Sequence, residues 1–154
     1  MLRLSKLTDY GTVVLAEMAR DPARLYSAAE LASALHLAPP TVAKLLKQFT
    51  RGGLIKSQRG AKGGYTLARP AEDITAVQII DAIEGPVAIT QCSMSHSRCG
   101  IESVCGIGHN WQRISLAIRG ALSGVTLAQL ARPVSPPPRL DFHAVLEPTP
   151  RRRQ

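Results

Sequence analysis

The first fifty residues place apolar side chains at the three- and four-residue spacing of amphipathic helices. The spacing predicts a helix over residues 9–20, a short helix after the capping box at 27–30, and a third helix over 39–51. We expect the first and third of these helices to bury Val13, Val14, Leu15, Met18, Val42, Leu45, Leu46 and Phe49. Short β segments at 54–59 and 65–67 flank a glycine-rich tip, which together predict a hairpin.

Three helices followed by a hairpin predict a winged helix-turn-helix, a mostly α fold with a small β-hairpin wing. Two further helices are predicted, one after a capping box at 75–78 and a longer one from Asn110, and residues 126–129 predict the cap of a last short turn. The longer helix carries an apolar stripe of Trp111, Ile114, Ile118, Leu122 and Val125. One winged helix rarely needs so long an extra helix, so we expect it to form a homodimer interface. The chain thus divides into a DNA-binding region (1–70), a cysteine loop with a dimerisation helix (71–132), and a Pro/Arg-rich tail predicted to be disordered (133–154).

The charge distribution points to double-stranded DNA as the partner. The chain has nineteen Lys and Arg residues but only eleven Asp and Glu residues. The stretch 31–71 contains seven basic residues and no acidic one. With the apolar stripe of the third helix turned inward, its outward face offers Thr41, Lys44 and Lys47, with Gln48 and Arg51 beside them. This helix would lie in the major groove, and Arg59 and Lys62 at the wing tip would reach phosphate or the minor groove.

Several other classes of protein fit the sequence poorly. An apolar content of 45% is too high for a disordered chain, and no apolar run approaches the roughly 18 residues of a membrane span. The N-terminus shows no secretory signal, so we expect a cytoplasmic protein. The glycine-rich run at 60–64 matches neither nucleotide-binding motif, and the four histidines do not pair with a nucleophile and a carboxylate. We therefore expect no enzyme activity.

Cys92, Cys99 and Cys105 lie within fourteen residues of one another. An odd number of cysteines in a reducing compartment favours a metal or redox site over a disulfide framework. The gaps of six and five residues are long for a compact zinc site and suit a larger iron–sulfur cluster held by thiolates. Three thiolates leave a fourth position, and a weaker ligand there would make the cluster easier to perturb, as a sensor requires.

Four segments in this order resemble the Rrf2 family of bacterial transcription regulators: residues 4–10, the turn at 52–55, the wing at 59–65, and the three-cysteine loop. The loop and residues 110–114 look most like the regulators of SUF-type iron–sulfur cluster assembly. The resemblance implies a repressor of cluster-assembly genes, with Cys92, Cys99 and Cys105 as ligands of a [2Fe-2S] or [4Fe-4S] cluster. It also implies that Arg59 enters the minor groove. On the recognition helix, Ala43 stands where housekeeping relatives carry an acidic residue that discriminates between DNA sequences, so their operator sequence does not carry over to this chain.

The resemblance leaves the fourth ligand open. Housekeeping relatives carry a histidine three residues after the last cysteine, where this chain has Gly108, and His109 follows one position later. Relatives that sense nitric oxide use an aspartate near the N-terminus, which corresponds to Asp9 of the partner subunit. Solvent, another thiol or His96 are further possibilities. The alternatives to a repressor of cluster-assembly genes are a repressor of other genes that senses nitric oxide or redox state, a small iron–sulfur redox protein, and a zinc-stabilised regulator. The redox protein leaves the acid-free basic stretch at 31–71 without a purpose.

Overall fold

The computed structural model describes residues 4–60, 62–87 and 108–132. In chain order the described elements are α1 (Lys6–Ala19), α2 (Ala28–Ala34), α3 (Pro39–Arg51), β1 (Ile55–Gln58), β2 (Gly64–Leu67), a 3-10 turn (Ala71–Asp73), α4 (Ala76–Glu84), α5 (Gly108–Ser123) and α6 (Leu127–Leu130). This order of helices around one two-stranded antiparallel hairpin confirms the mostly α fold class with a wing. The predicted tail at 133–154 and residues 88–107, which include the three cysteines, lie outside the described residues.

The hydrophobic core is centred on α3. Its four stripe residues, Val42, Leu45, Leu46 and Phe49, are fully buried, which confirms the predicted face of this helix. Ile74 and Ile79 from the region after residue 70, together with Leu127 of α6, belong to the same buried cluster. The elements on both sides of residue 70 therefore share one core.

Helix α1 differs from the prediction at its start and on one face. It begins at Lys6, three residues before the predicted start. Val14, Leu15 and Met18 are buried as predicted, but Val13 is 49% exposed. The residues of α1 that face the core recur at positions 8, 11, 15 and 18, and Val13 lies on the opposite side with Tyr10. The prediction that Val13 is buried was therefore wrong, because a run of adjacent apolar residues cannot all lie on one helical face.

Glycine is required in the wing at two positions. β1 pairs with β2 from Ile55 opposite Leu67 to Gln58 opposite Gly64, so the tip spans the residues between Gln58 and Gly64. Gly60 has a φ of +117°, a conformation that side-chain-bearing residues rarely adopt. A Cβ on Gly63 would lie 2.2 Å from the carbonyl oxygen of Gln58. These two positions fix the tight tip that carries Arg59 and Lys62.

Gly11 allows α1 to pack closely against α3 and α4. A Cβ at this position would lie 2.5 Å from Cδ1 of Ile83 and 2.8 Å from Cζ of Phe49. We expect Gly11→Val to lower the free energy of unfolding by about 2–3 kcal/mol, because overpacking of the core outweighs any gain in helix propensity. Urea denaturation, monitored by circular dichroism, measures the change.

Gly120 of α5 provides the matched control, because a Cβ there would meet no atom within 4 Å. Gly120→Val, at this exposed position, should change the free energy of unfolding by less than about 0.5 kcal/mol, because helix propensity alone is altered. Equal effects of the two substitutions would show that packing at Gly11 does not limit the stability of the fold.

Helix α5 lies against α4 and leaves much of its apolar surface exposed. Leu116 is 67% exposed, Ile114 44% and Trp111 38%. The capping boxes predicted at Thr75 and Thr126 are both present, and they fix the starts of α4 and α6. Among the described helices, none combines the length and the apolar character needed to cross a lipid bilayer.

Candidate nucleic-acid interface and cysteine segment

The exposed face of α3 carries a row of cations. Lys44, Lys47 and Arg51 are exposed and stand three and four residues apart, which places them on one side of the helix. Thr41 is half-buried at the start of the same helix. Because the opposite side of α3 is fully buried in the core, these cations have a fixed orientation relative to the fold. We call Lys44, Lys47 and Arg51 the α3 basic row.

The wing contributes two further cations. Arg59 and Lys62 are both exposed on either side of Gly60 at the tip. The ion pairs among the described residues use Arg20, Arg24 and Arg119, with Glu17, Glu30 and Asp81 as their partners. The cations of the α3 basic row and of the wing are therefore not neutralised by carboxylates in the described parts of the chain. They present uncompensated positive charge to a polyanion.

Gln48 does not belong to the outward face where the sequence places it. Its Nε2 donates a hydrogen bond of 3.3 Å to the carbonyl oxygen of Ile83 in α4. Its Oε1 is buried and has no hydrogen-bond partner among the described residues. On α3, Gln48 lies between the buried stripe and the basic row. Its side chain turns inward because the carbonyl oxygen of Ile83, near the end of α4, accepts its hydrogen bond. Gln48 therefore joins α3 to α4.

The final turn of α4 (residues 81–84) contacts three neighbouring segments through its acidic side chains. The Arg119 guanidinium of α5 binds Asp81 with two hydrogen bonds, of 3.0 Å to Oδ1 and 2.8 Å to Oδ2. The amide of Val87, the last described residue before the cysteines, donates to Oδ1 of Asp81 at 3.0 Å. The hydrogen bonds from Arg119 to Asp81 raise the pKa of the guanidinium. Sequence patterns gave no signal for these contacts.

Glu84 caps the N-terminus of α1. Its Oε1 accepts hydrogen bonds from the backbone amide of Ser5 at 2.7 Å and from the hydroxyl of Thr8. The side chain of Ser5, the N-cap residue, makes no capping bond of its own. These hydrogen bonds, that from Thr8 above all, hold the pKa of Glu84 below its ordinary value. A carboxylate at a helix N-terminus is also favoured by the helix dipole.

The lowered pKa of Glu84 predicts a defined pH dependence of stability. Since the ionised form is favoured in the folded state, its contribution is complete above the ordinary pKa of 4.5 and is lost as pH falls through the lowered value. At neutral pH we expect Glu84→Gln to lower the free energy of unfolding by about 0.5–1 kcal/mol. This lies at the lower end of the effects seen when a helix cap is removed, because the carboxylate is exposed. Urea denaturation at several pH values measures the difference.

Glu72→Gln is the control for this pH series, since Glu72 is an exposed glutamate in the 3-10 turn. It should change stability little at any pH. If the difference between the native protein and Glu84→Gln stayed constant down to acidic pH, the capping role of Glu84 would be wrong.

The candidate cluster ligands are only partly covered by the structure. Cys92, Cys99, Cys105 and His96 lie outside the described residues. The backbone of His109 lies in the first turn of α5. Asp9 is exposed in the first turn of α1, four residues after the N-cap residue Ser5. Within 4–60, 62–87 and 108–132 no three His, Cys, Asp or Glu side chains converge as a metal site would require.

Comparisons with known proteins agree on one family. The profile of the Rrf2 family, described as iron-dependent transcriptional regulators, matches residues 4–133. Protein rrf2 of Nitratidesulfovibrio vulgaris is 30% identical over 135 residues, which cover 87% of this chain and 90% of that protein. CymR, the global cysteine regulator of B. subtilis, has a structure with a TM-score of 0.65 and 30% identity, covering 85% of this chain and 97% of its own. IscR of T. potens gives a TM-score of 0.59 and 29% identity, over 84% of this chain and 85% of its own.

Proposed function

The chain belongs to the Rrf2 family of transcriptional regulators, and we propose that it is a cytoplasmic, homodimeric DNA-binding repressor whose operator affinity is set by an iron–sulfur cluster. The α3 basic row is the single observation that carries the DNA-binding part of the proposal. The three cysteines of the segment between α4 and α5 carry the cluster part. The genes it controls would be those of iron–sulfur cluster assembly.

DNA binding is supported by the shape and charge of one surface. An α-helix fits the major groove, and cations that lack protein partners can neutralise phosphates without first breaking ion pairs. In this proposal Thr41, Lys44 and Lys47 contact the major groove or its flanking phosphates. Arg59 and Lys62 on the wing contact the adjacent minor groove or backbone.

The donor set of the cysteine segment suits an iron–sulfur cluster. Thiolates are the ligands that such clusters take, and three of them stand within fourteen residues. In this proposal Cys92, Cys99 and Cys105 supply three ligands, and His109 or Asp9 of the partner subunit supplies the fourth. When bound, the cluster would supply a redox- and ligand-sensitive centre. The chain's own part would be to hold it with the cysteines of the segment that joins α4 to α5 in the sequence.

Homodimerisation is supported by the exposed apolar residues of α5. Trp111 and Ile114 belong to the predicted stripe, and both remain more than a third exposed in the single chain. A small apolar cleft of about 220 Å³ lies beside this helix, lined in part by Leu122 of the same stripe, by Val125, which follows the end of α5, and by Leu4 and Leu130. A second copy of α5 would cover such a surface and would match a two-fold operator.

We expect Ile114→Glu to convert the dimer into a monomer, because a buried, unpaired carboxylate is strongly unfavourable in an apolar interface. Sedimentation velocity at micromolar concentration measures the outcome. Ser123→Glu, at the exposed end of the same helix, is the control and should leave the dimer intact. A native protein that sediments as a monomer would refute the dimer outright.

The test of the cluster is metal analysis of protein purified without oxygen, together with its absorption spectrum. Visible absorbance with equal amounts of iron and sulfide is the expected result. A colourless protein with one zinc per chain would replace the cluster with a structural zinc site. A protein free of both would leave a thiol-based sensor, and the redox part of the proposal would fail while the DNA-binding part remained.

A further inference from the structure

We propose that Gln48 is a positioning residue that couples the recognition helix α3 to α5 and to the start of the cysteine segment, through the final turn of α4 (residues 81–84). The inference rests on the proposed function in one respect, namely that α3 is the helix that contacts DNA. It adds the route by which a change at the cysteine segment or at α5 would reach that helix.

The first step is the bond between α3 and α4. The last carbonyl groups of a helix have no partner within the helix, and that of Ile83 accepts a hydrogen bond from Nε2 of Gln48. The other end of the amide, Oε1, is buried without a partner among the described residues, which is unfavourable. An apolar side chain of similar size would avoid that cost. Gln48 therefore adds a directional bond to α4 rather than better packing.

The final turn of α4 is also held by hydrogen bonds from its two acidic residues to neighbouring segments. Asp81 binds the Arg119 guanidinium of α5 and the amide of Val87, and Glu84 binds the start of α1. Acidic side chains in the last turn of a helix face the negative end of its dipole, so they are unfavourable for α4 itself. Their bonds outside the helix compensate for this. The turn is thereby held by α1, α3, α5 and the chain that leads to the cysteines.

The third step is the close packing of this turn against α3. A Cβ on Gly52, at the end of α3, would lie 3.0 Å from Cβ of Ala82. This close packing keeps residues 81–84 beside the end of α3, within reach of Gln48, so that a displacement of the turn is transmitted to α3 through the Gln48 bond. Because the α3 basic row lies on this same rigid helix, its orientation toward DNA would change as well.

A double-mutant cycle tests the coupling in metal-free protein. Arg119→Gln breaks the ion pair to Asp81, and Gln48→Met removes the bond to Ile83 while keeping the side-chain volume. Operator affinity is measured for the native protein, both single variants and the double variant, on one duplex selected from a random pool at fixed salt. We expect Arg119→Gln to change affinity by about fivefold or more in the native background and by less than about twofold in the Gln48→Met background.

The two side chains contact α4 at different residues, and substitutions at independent sites add. Additive effects would therefore overturn the inference. Arg20→Gln is the matched control, because it breaks an exposed ion pair with Glu17 at the far end of α1. It should have the same small effect in both backgrounds.

Hydrogen exchange of the α3 amides keeps the inference testable if no duplex binds. Failure to bind any duplex would contradict the proposed function, whereas the exchange experiment concerns only the coupling. We expect Arg119→Gln to speed exchange along α3 in the native background and not in the Gln48→Met background. Unchanged exchange along α3 in the native background, with the variant folded by circular dichroism, would overturn the inference.

Discussion

Removing both lysines from the exposed face of α3, with Lys44→Ala and Lys47→Ala together, is expected to lower operator affinity by about 100-fold or more at physiological salt. Each lysine is exposed and unpaired with any described carboxylate, so each is free to neutralise a phosphate. If both do so in each protomer of a dimer, the slope of log K against log salt becomes shallower by about 3.6. Fluorescence anisotropy over a series of salt concentrations measures both quantities.

The control for this variant removes two cations from another part of the surface. Arg20 and Arg132 both line a cleft between the ends of α1 and α6. No residue of the α3 basic row lines this cleft. Arg20→Ala with Arg132→Ala therefore changes net charge equally. It should leave the salt slope within about one unit of the native value. Equal losses in the two double variants would mean that net charge, and not the face of α3, drives binding.

Replacing any one of the three cysteines is expected to remove the cluster. Cys92→Ser, Cys99→Ser and Cys105→Ser should each reduce the iron and sulfide content of anaerobically purified protein to background. An oxygen ligand replaces a thiolate in each case, and iron–sulfur clusters depend on cysteine sulfur. The fold should persist, because the described residues of α1, α3, α4 and α6 already form one buried cluster with one another. Iron and sulfide assays with thermal denaturation measure both expectations.

Variants of the remaining candidate ligands serve as internal comparisons. His109→Ala is expected to retain iron after gentle purification but to lose it faster to a chelator, since the fourth ligand is the weaker one. His96→Ala should behave like the native protein. Faster loss from Asp9→Ala instead would assign the fourth position to Asp9 of the partner subunit. Full retention of iron by all three Cys→Ser variants would refute the cysteine site.

The parts of the fold predicted from sequence are those that depend on neighbours along the chain. The stripe of Val42, Leu45, Leu46 and Phe49 on α3 follows from helical spacing alone, and all four are buried. The capping boxes at Thr75 and Thr126 need only residues three positions apart, and both are formed. The wing follows from two short β segments and a tip that requires glycine.

The features that sequence reasoning missed depend on residues far apart in the chain. Helix α1 starts at Lys6 because Glu84, 79 residues after Ser5, supplies its cap. Gln48 turns inward because the carbonyl of Ile83, 35 residues later, lies within reach. The pair between Asp81 and Arg119 spans 38 residues. Spacing rules cannot detect such contacts, because they arise only when the helices pack.

Control of DNA binding by the cluster is tested most directly by the ratio of operator affinities between cluster-containing and cluster-free protein. Both forms are measured without oxygen on the same selected duplex and at the same salt, with the cluster removed by a chelator and its absence verified by iron assay. We expect the two affinities to differ by about tenfold or more, in one direction or the other, as in a typical allosteric coupling. Equal affinity of the two forms would contradict control of DNA binding by the cluster.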